Sequence, residues 1–214
     1  MGYSIMNTKP IKITAIILAF IAAALIPVAF YFFYWIKTPT YSLKIIKDSY
    51  RAHDLATFEK HVDLDSIFGE AFDVWVVTDL KIKGIEVGSD ADSAIAMSFI
   101  QAFKPMTIET LKNHAISKVL DTPQTYSNAY ERDRLKNWDK ISGIDHSECI
   151  DASVLDTKDD TATIAIKIHN NQVDKDYQLN ATMTKLPDGY WCVKEITNLS
   201  DYFLALDSAK KEKW

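Results

Sequence analysis

Glycine and cysteine are scarce in this chain, and each scarcity removes a class of function. Six glycines are spread over 214 residues. None forms a GxGxxG or GxxxxGK[ST] run, so no glycine-rich loop is available to cradle a phosphate. No GxSxG occurs, which removes the nucleophile elbow of the α/β-hydrolases. The two cysteines, Cys149 and Cys192, form no CxxC and no Cys/His spacing of a zinc site. Both fall on predicted strands, and two readings stay open: a disulfide in an oxidising compartment, or two separate thiols. Basic charge is also short. The balance of 24 Lys+Arg against 29 Asp+Glu gives a net charge of −5, so the basic footprint of a nucleic-acid binder is not expected. No block of five like charges occurs. The end of the chain carries Lys210, Lys211 and Lys213 interrupted by Glu212, and residues 207–214 are expected to be a polar, solvated tail.

What the chain does have is one long uncharged stretch near its start. Residues 15–36, AIILAFIAAALIPVAFYFFYWI, contain no charged side chain. At ~1.5 Å per residue a helix of this length spans a hydrocarbon core of roughly 30 Å. Helical backbone bonds internally, so lipid can solvate it. Tyr31, Tyr34 and Trp35 gather at the exit, where amphipathic rings sit at headgroup level. Ala22–Ala24 resembles a signal-peptide cleavage site, but the apolar run continues to Ile36, too far for a signal h-region. The expectation is a transmembrane helix over 15–36, after a short flank at 1–14, with the lipid bilayer as its partner. Lys9 and Lys12 precede the run; Lys37, Lys44, Lys47 and Arg51 follow it. Only Lys37 lies close, and long domains translocate largely regardless of charge, so the N-terminus is read as inside and the domain as outside.

After the anchor the pattern turns helical at once. Pro39 stops a continuous helix, and Thr40 or Tyr41 opens a new one with Leu43, Ile46 and Tyr50 on its face. His53 and Asp54 break it, Asp54 caps the next turns, and Leu55, Phe58 and Val62 form a second stripe. Residues 65–83 are read as helix despite the β-prone VWVV at 74–77. Asp90 or Asp92 caps an amphipathic helix with Ala91, Ala94, Ile95, Ser98, Phe99 and Ala102 on one face. Pro105 opens another, striped by Ile108, Leu111, Ala115 and Val119. Leu135, Trp138 and Ile141 mark a last short helix, closed by Gly143.

From residue 147 the apolar period changes from 3.6 to 2. Ile150, Ala152 and Val154 alternate with polar neighbours; Ile164, Ile166 and Ile168 do so more cleanly; Tyr177, Leu179, Ala181 and Met183 follow. The acidic DTKDD at 156–160 fits a hairpin turn, PDG at 187–189 is a turn, and YWCVKEI is the last strand. This is α+β: helices over 40–141 packed on one face of a four-stranded antiparallel sheet over 147–197, in a soluble domain spanning 39–206.

Pro39, Tyr41, Leu43 and Ile46, then His53, Asp54, Phe58, Val62 and Asp63, form a PxYxLxxI…HDxxxFxxxVD pattern after the anchor. In this the chain resembles a bacterial family of membrane-anchored proteins of unknown function. The resemblance covers 39–67 most closely and 38–204 loosely. It implies a cell-envelope location in the bacterial cytoplasmic membrane, with no activity attached. The order of helices then sheet is also similar to the cystatin and nuclear-transport-factor-like folds, which host enzymes, ligand binders and scaffolds alike.

No catalytic, cofactor-binding or metal-ligating residue is assigned from the sequence. In HVDLD, His61, Asp63 and Asp65 stand close enough for an acid–base pair or a metal site, but a helix boundary is the preferred reading: Asp63 or Asp65 as cap, His61 on an exposed side. His53–Asp54 is read as a helix break. Cys192 is read as a plain strand thiol. Phe68, Phe72, Trp75, Phe99, Met106 and Trp138 either fill the core or line an apolar cavity. The leading expectation is a non-catalytic interaction module using its exposed sheet face or edge for an envelope protein partner. A lipid or apolar-ligand binder with a pocket between helices and sheet comes second. A hydrolase-type enzyme using His61 and Asp63 comes third.

Overall fold

The computed structural model describes residues 10–84, 97–98, 100–123, 125–126 and 128–213, with 10–14 as backbone only. Helix α1, Pro10–Phe33, continues through Pro27. The stretch Ala15–Lys37 is long and apolar enough to cross a membrane, and none of it is buried against the rest of the chain. At ~1.5 Å per residue α1 is about 36 Å long. A single turn of tight helix, Trp35–Lys37, leads out of it.

Helix α2, Pro39–Arg51, begins one residue after that turn. The hydroxyl of Thr38 accepts from the Tyr41 N–H at 3.2 Å, and Pro39 occupies the first turn, where its missing N–H costs nothing. So Pro39 starts the helix, rather than Thr40 or Tyr41. The expected stripe is also revised. Tyr50 is 47% exposed, while Pro39, Ser42 and Ser49 are the buried positions. Small side chains let the α2 backbone come close to the sheet: the buried Ser42 hydroxyl accepts from the Trp191 N–H at 3.0 Å.

Asp54 caps α3, Leu55–His61, accepting from the Thr57 N–H at 3.1 Å. Helix α4, Leu64–Ile82, includes VWVV, because Leu64, Phe68, Ala71, Phe72 and Val76 recur at helical spacing and all are buried. The helix expected from Asp90 or Asp92 lies mostly outside the described residues. Helix α5 is Lys104–Val119, with Pro105 in its first turn and Leu111 and Val119 buried. Helix α6, Ala129–Ser142, is capped by Asn128 and ends on Gly143 at φ 60. A Cβ on Gly143 would stand 2.6 Å from Asn170 Nδ2 and 3.0 Å from Leu206, so both conformation and space require glycine there.

Four strands then form an antiparallel meander, β1 (Ser147–Lys158), β2 (Thr161–Asn170), β3 (Lys175–Lys185) and β4 (Trp191–Ile196), in the order β1-β2-β3-β4. Register sets Ile164 against Ala181, Ile166 against Leu179 and Ile168 against Tyr177, so one face is apolar. Leu43 and Ile46 of α2 and Ile67 of α4 cover one part of it. Phe68 of α4 and Tyr202, Phe203 and Leu206 of α7, Leu199–Lys213, cover the rest. Ile164, Met183 and Leu206 are fully buried, each stabilising the fold by roughly 1.5–3 kcal/mol. The opposite face carries Thr163, Lys167, His169, Gln178, Asn180, Thr182 and Thr184, all exposed or half-buried.

Two expectations change here. Strand β1 was expected to turn Ile150, Ala152 and Val154 inward, but only Val154 is even half-buried. The register skips at Cys149/Asp151 and at Val154/Asp156, and the skipped residues are Ile150 and Leu155, 56% and 57% exposed. They are bulges on an open edge strand, a device that hinders pairing with another strand. The polar tail expected from residue 207 is instead the second half of α7, where Ala209 is buried against the domain.

Candidate functional site

The HVDLD segment lies along the outer edge of β4. Val62 bridges Val193 in parallel, and the Asp63 N–H donates to the Val193 carbonyl at 2.9 Å. One step earlier, His61 Nδ1 stands 2.9 Å from the Trp191 carbonyl. A carbonyl only accepts, so the proton is on Nδ1. His61 is therefore buried, 3% exposed, not on the exposed side expected for it. The correction has a simple cause: β4 is the sheet's last strand, and this segment satisfies its free backbone groups.

Asp63 serves two further partners. Its carboxylate accepts from the Ser66 N–H at 3.0 Å, capping α4, and from Lys194 Nζ at 2.6 Å. Lys194 is free to reach it because β4 is bulged there, Met183 facing Val193 and Thr182 facing Glu195. Burial pushes the Asp63 carboxyl up, but Lys194 and Ser66 outweigh it and hold it down at about 2. His61 and Asp63 thus bond to separate partners and do not form an acid–base pair. Asp65 is in the first turn of α4 and pairs with Lys112 at 2.7 Å.

A cleft of about 390 Å³ opens beside this segment, lined by Glu59, Lys60, Asp63, Asp65, Cys192 and Lys194 among others. A second of about 570 Å³ adjoins it, sharing Glu59, Asp65 and Lys112 and extending along Pro105, Ile108 and Ile116 of α5. Lysine and carboxylate cancel in pairs here: Lys194 with Asp63, Lys112 with Asp65, and Lys60 with Asp188 at 2.7 Å. Asp63, held down at about 2, suits a structural ion pair better than a base working near neutral pH. Cys192 is buried, and burial pushes its thiol up, so it is not an activated nucleophile.

Cys149 is exposed on β1 and Cys192 buried on β4, at opposite edges of the sheet, and both are free thiols. Three strand spacings of about 4.8 Å separate those edges, beyond disulfide reach. His53, at φ 56, donates from Nδ1 to the Val119 carbonyl at 2.8 Å and ties the α2–α3 break to the end of α5. His114 meets Asp145, His146 meets Asp139, and His169 meets Asp176. Among the described residues no three His, Cys, Asp or Glu side chains gather as a metal site.

The aromatic candidates pack on one another. Phe72, Trp75, Trp138 and Phe203 follow in edge-to-face steps of 5.6, 5.8 and 6.3 Å between ring centroids. Met106 is 51% exposed, and Phe99 lies outside the described residues. Glu70 of α4 meets Glu195 of β4: burial, then the charge of Glu195, pushes Glu70 up.

The feature that sequence reasoning missed is the joint between α1 and the sheet. The Trp191 indole N–H donates to the Lys37 carbonyl at 2.9 Å. The Lys37 ammonium donates to the Asp188 carbonyl and lies 4.0 Å from the Tyr190 ring centroid. Gly189, at φ 85, is where the Lys37 side chain crosses; a Cβ there would meet Lys37 Cδ at 2.9 Å. Tyr31 of α1 and Tyr41 of α2 pack edge to face across the turn. The short spacing between Ile36 and Pro39 was the one available signal. No protein-family model, curated protein or solved structure matches this chain.

Proposed function

We propose that the protein is a single-pass membrane protein whose α+β domain is held at the bilayer and works as a non-catalytic interaction module of the bacterial cell envelope. The observation that supports this reading best is the pairing of a rigid exit from α1 with a sheet whose second face is polar and open. Trp191, Lys37 and Asp188 leave no free linker between anchor and domain. The face bearing Thr163, Lys167, Gln178 and Thr182 is presented to solvent, as is the β1 edge. The pairing of Lys194 with Asp63 and of Lys112 with Asp65 in the clefts favours the same reading. The PxYxLxxI…HDxxxFxxxVD resemblance supports an envelope location, and the placement of the domain on the outer side follows separately from the sparse basic residues next to the span.

The test is in-cell photocrosslinking from Thr182 on the open face, compared with Met106 on the helical side. Discrete adducts to an envelope protein from Thr182, lost on adding charge at Thr163, are expected. Adducts confined to Met106 would contradict the proposal.

A further inference from the structure

We propose that the β3–β4 turn, Leu186–Tyr190, is a second membrane contact, seated in the phospholipid headgroup layer of the bilayer that α1 crosses. The proposal rests on reading α1 as a membrane span. Its first support is position. Lys37 ends the apolar stretch Ala15–Lys37, and its side chain lies across Gly189 and bonds to Asp188. Whatever depth Lys37 occupies, this turn shares it.

The second support is chemistry. All three cation–π contacts among the described residues fall on two adjacent rings at this turn. Lys37 and Lys60 lie 4.0 and 5.1 Å from the Tyr190 centroid, and Lys185 lies 6.0 Å from that of Trp191. Trp191 is itself buried, 2% exposed, and backs the turn from inside; the half-buried Tyr190 ring and the long Lys37, Lys60 and Lys185 side chains are the groups of this turn that the headgroup layer selects. Aromatic rings recur at the end of α1 and in the turn that follows it, at Tyr31, Tyr34 and Trp35, which are 45%, 62% and 43% exposed. Two separate chain segments thus build one aromatic and cationic collar.

Topology then orients the whole domain. Thr161 pairs with Thr184, and the Lys185 N–H donates to the Asp160 carbonyl at 2.9 Å, so the β1–β2 turn lies at the same end. The β2–β3 turn lies at the other, about 33 Å away for a strand of 10 residues. The open sheet face stands along the membrane normal.

The experiment uses the full chain with Cys149→Ser, reconstituted in phosphatidylcholine–phosphatidylglycerol nanodiscs containing lipid with a nitroxide on the headgroup. A fluorophore is attached at Pro187→Cys in the turn or at Asn171→Cys at the far end. Severalfold stronger quenching at 187 than at 171 is expected. Equal or absent quenching at 187, in discs that carry the chain, overturns the proposal and leaves the span intact. A chain that does not enter the discs overturns the reading of α1 on which it rests.

Discussion

The indole N–H of Trp191, the first residue of β4, donates to the carbonyl of Lys37, the last residue of the turn that leads out of α1, at 2.9 Å. Trp191 is 2% exposed, and its own backbone N–H is held by the Ser42 hydroxyl. One residue thus fixes the exit of the apolar helix and the first helix of the domain to the sheet. Trp191→Phe removes the indole donor and leaves a small void in the core, so the hydrogen bond sets only part of the loss. A loss of more than about 1 kcal/mol in unfolding free energy is expected. Denaturant titration of the full chain in detergent measures it, and an unchanged midpoint would show that water replaces the bond at no cost.

Asn170 is fully buried and saturated. Its Nδ2 donates to the Gly143 carbonyl and the Ser147 hydroxyl, and its Oδ1 accepts from the N–H groups of Gln172 and Val173. Asn170→Ala removes the acceptor of the Gln172 and Val173 N–H groups, while Gly143 and Ser147 keep each other, and a loss of about 1–3 kcal/mol is expected. Gly143→Ala forces a side chain into the same network at positive φ, and should cost more than about 1 kcal/mol. Thermal unfolding checks both; a Tm unchanged in Asn170→Ala would contradict the network.

Asp63 contributes a pH-dependent share of stability. Its folded value of about 2 lies below the usual 3.8, so its stabilisation is complete above pH 3.8 and is lost as pH falls through about 2. Asp63→Asn retains a capping oxygen and removes the charge. The wild type should exceed it by about 2 kcal/mol at most at neutral pH, less whatever solvent screening of the half-exposed Lys194 removes. The gap should close between pH 4 and pH 2. A gap constant across that window would show that the ion pair is not its source.

Glu70 carries the opposite sign. Its folded value is raised by burial and by Glu195, so ionising it above its unfolded value destabilises the fold. Glu70→Gln should raise Tm at neutral pH, with the gain fading in acid. A lowered Tm at neutral pH would mean that the Glu70 charge has a favourable partner.

The α+β order, the meander, and the Asp54 and Gly143 helix ends could be read from the sequence because local chemistry sets them. A change of apolar period marks a change of element, and caps act on neighbours. His61 could not be read that way. Its burial depends on β4, 130 residues later, offering an unpaired edge. The outward bulges at Ile150 and Leu155 were hidden for a related reason: alternation gives a strand but not its place at the sheet's edge. The stripe on α2 misled because it was drawn from apolar residues alone, whereas Ser42 is buried against a backbone donor. The Lys37 joint joins residues 154 apart in sequence, beyond the reach of any local pattern.

Alkaline carbonate extraction of vesicles carrying the full-length chain tests the central claim most directly. A chain anchored through residues 15–36 stays with the lipid pellet, and maleimide added to intact cells labels exposed Cys149 while buried Cys192 reacts only after unfolding. Release of the full-length chain into the carbonate supernatant would contradict the account.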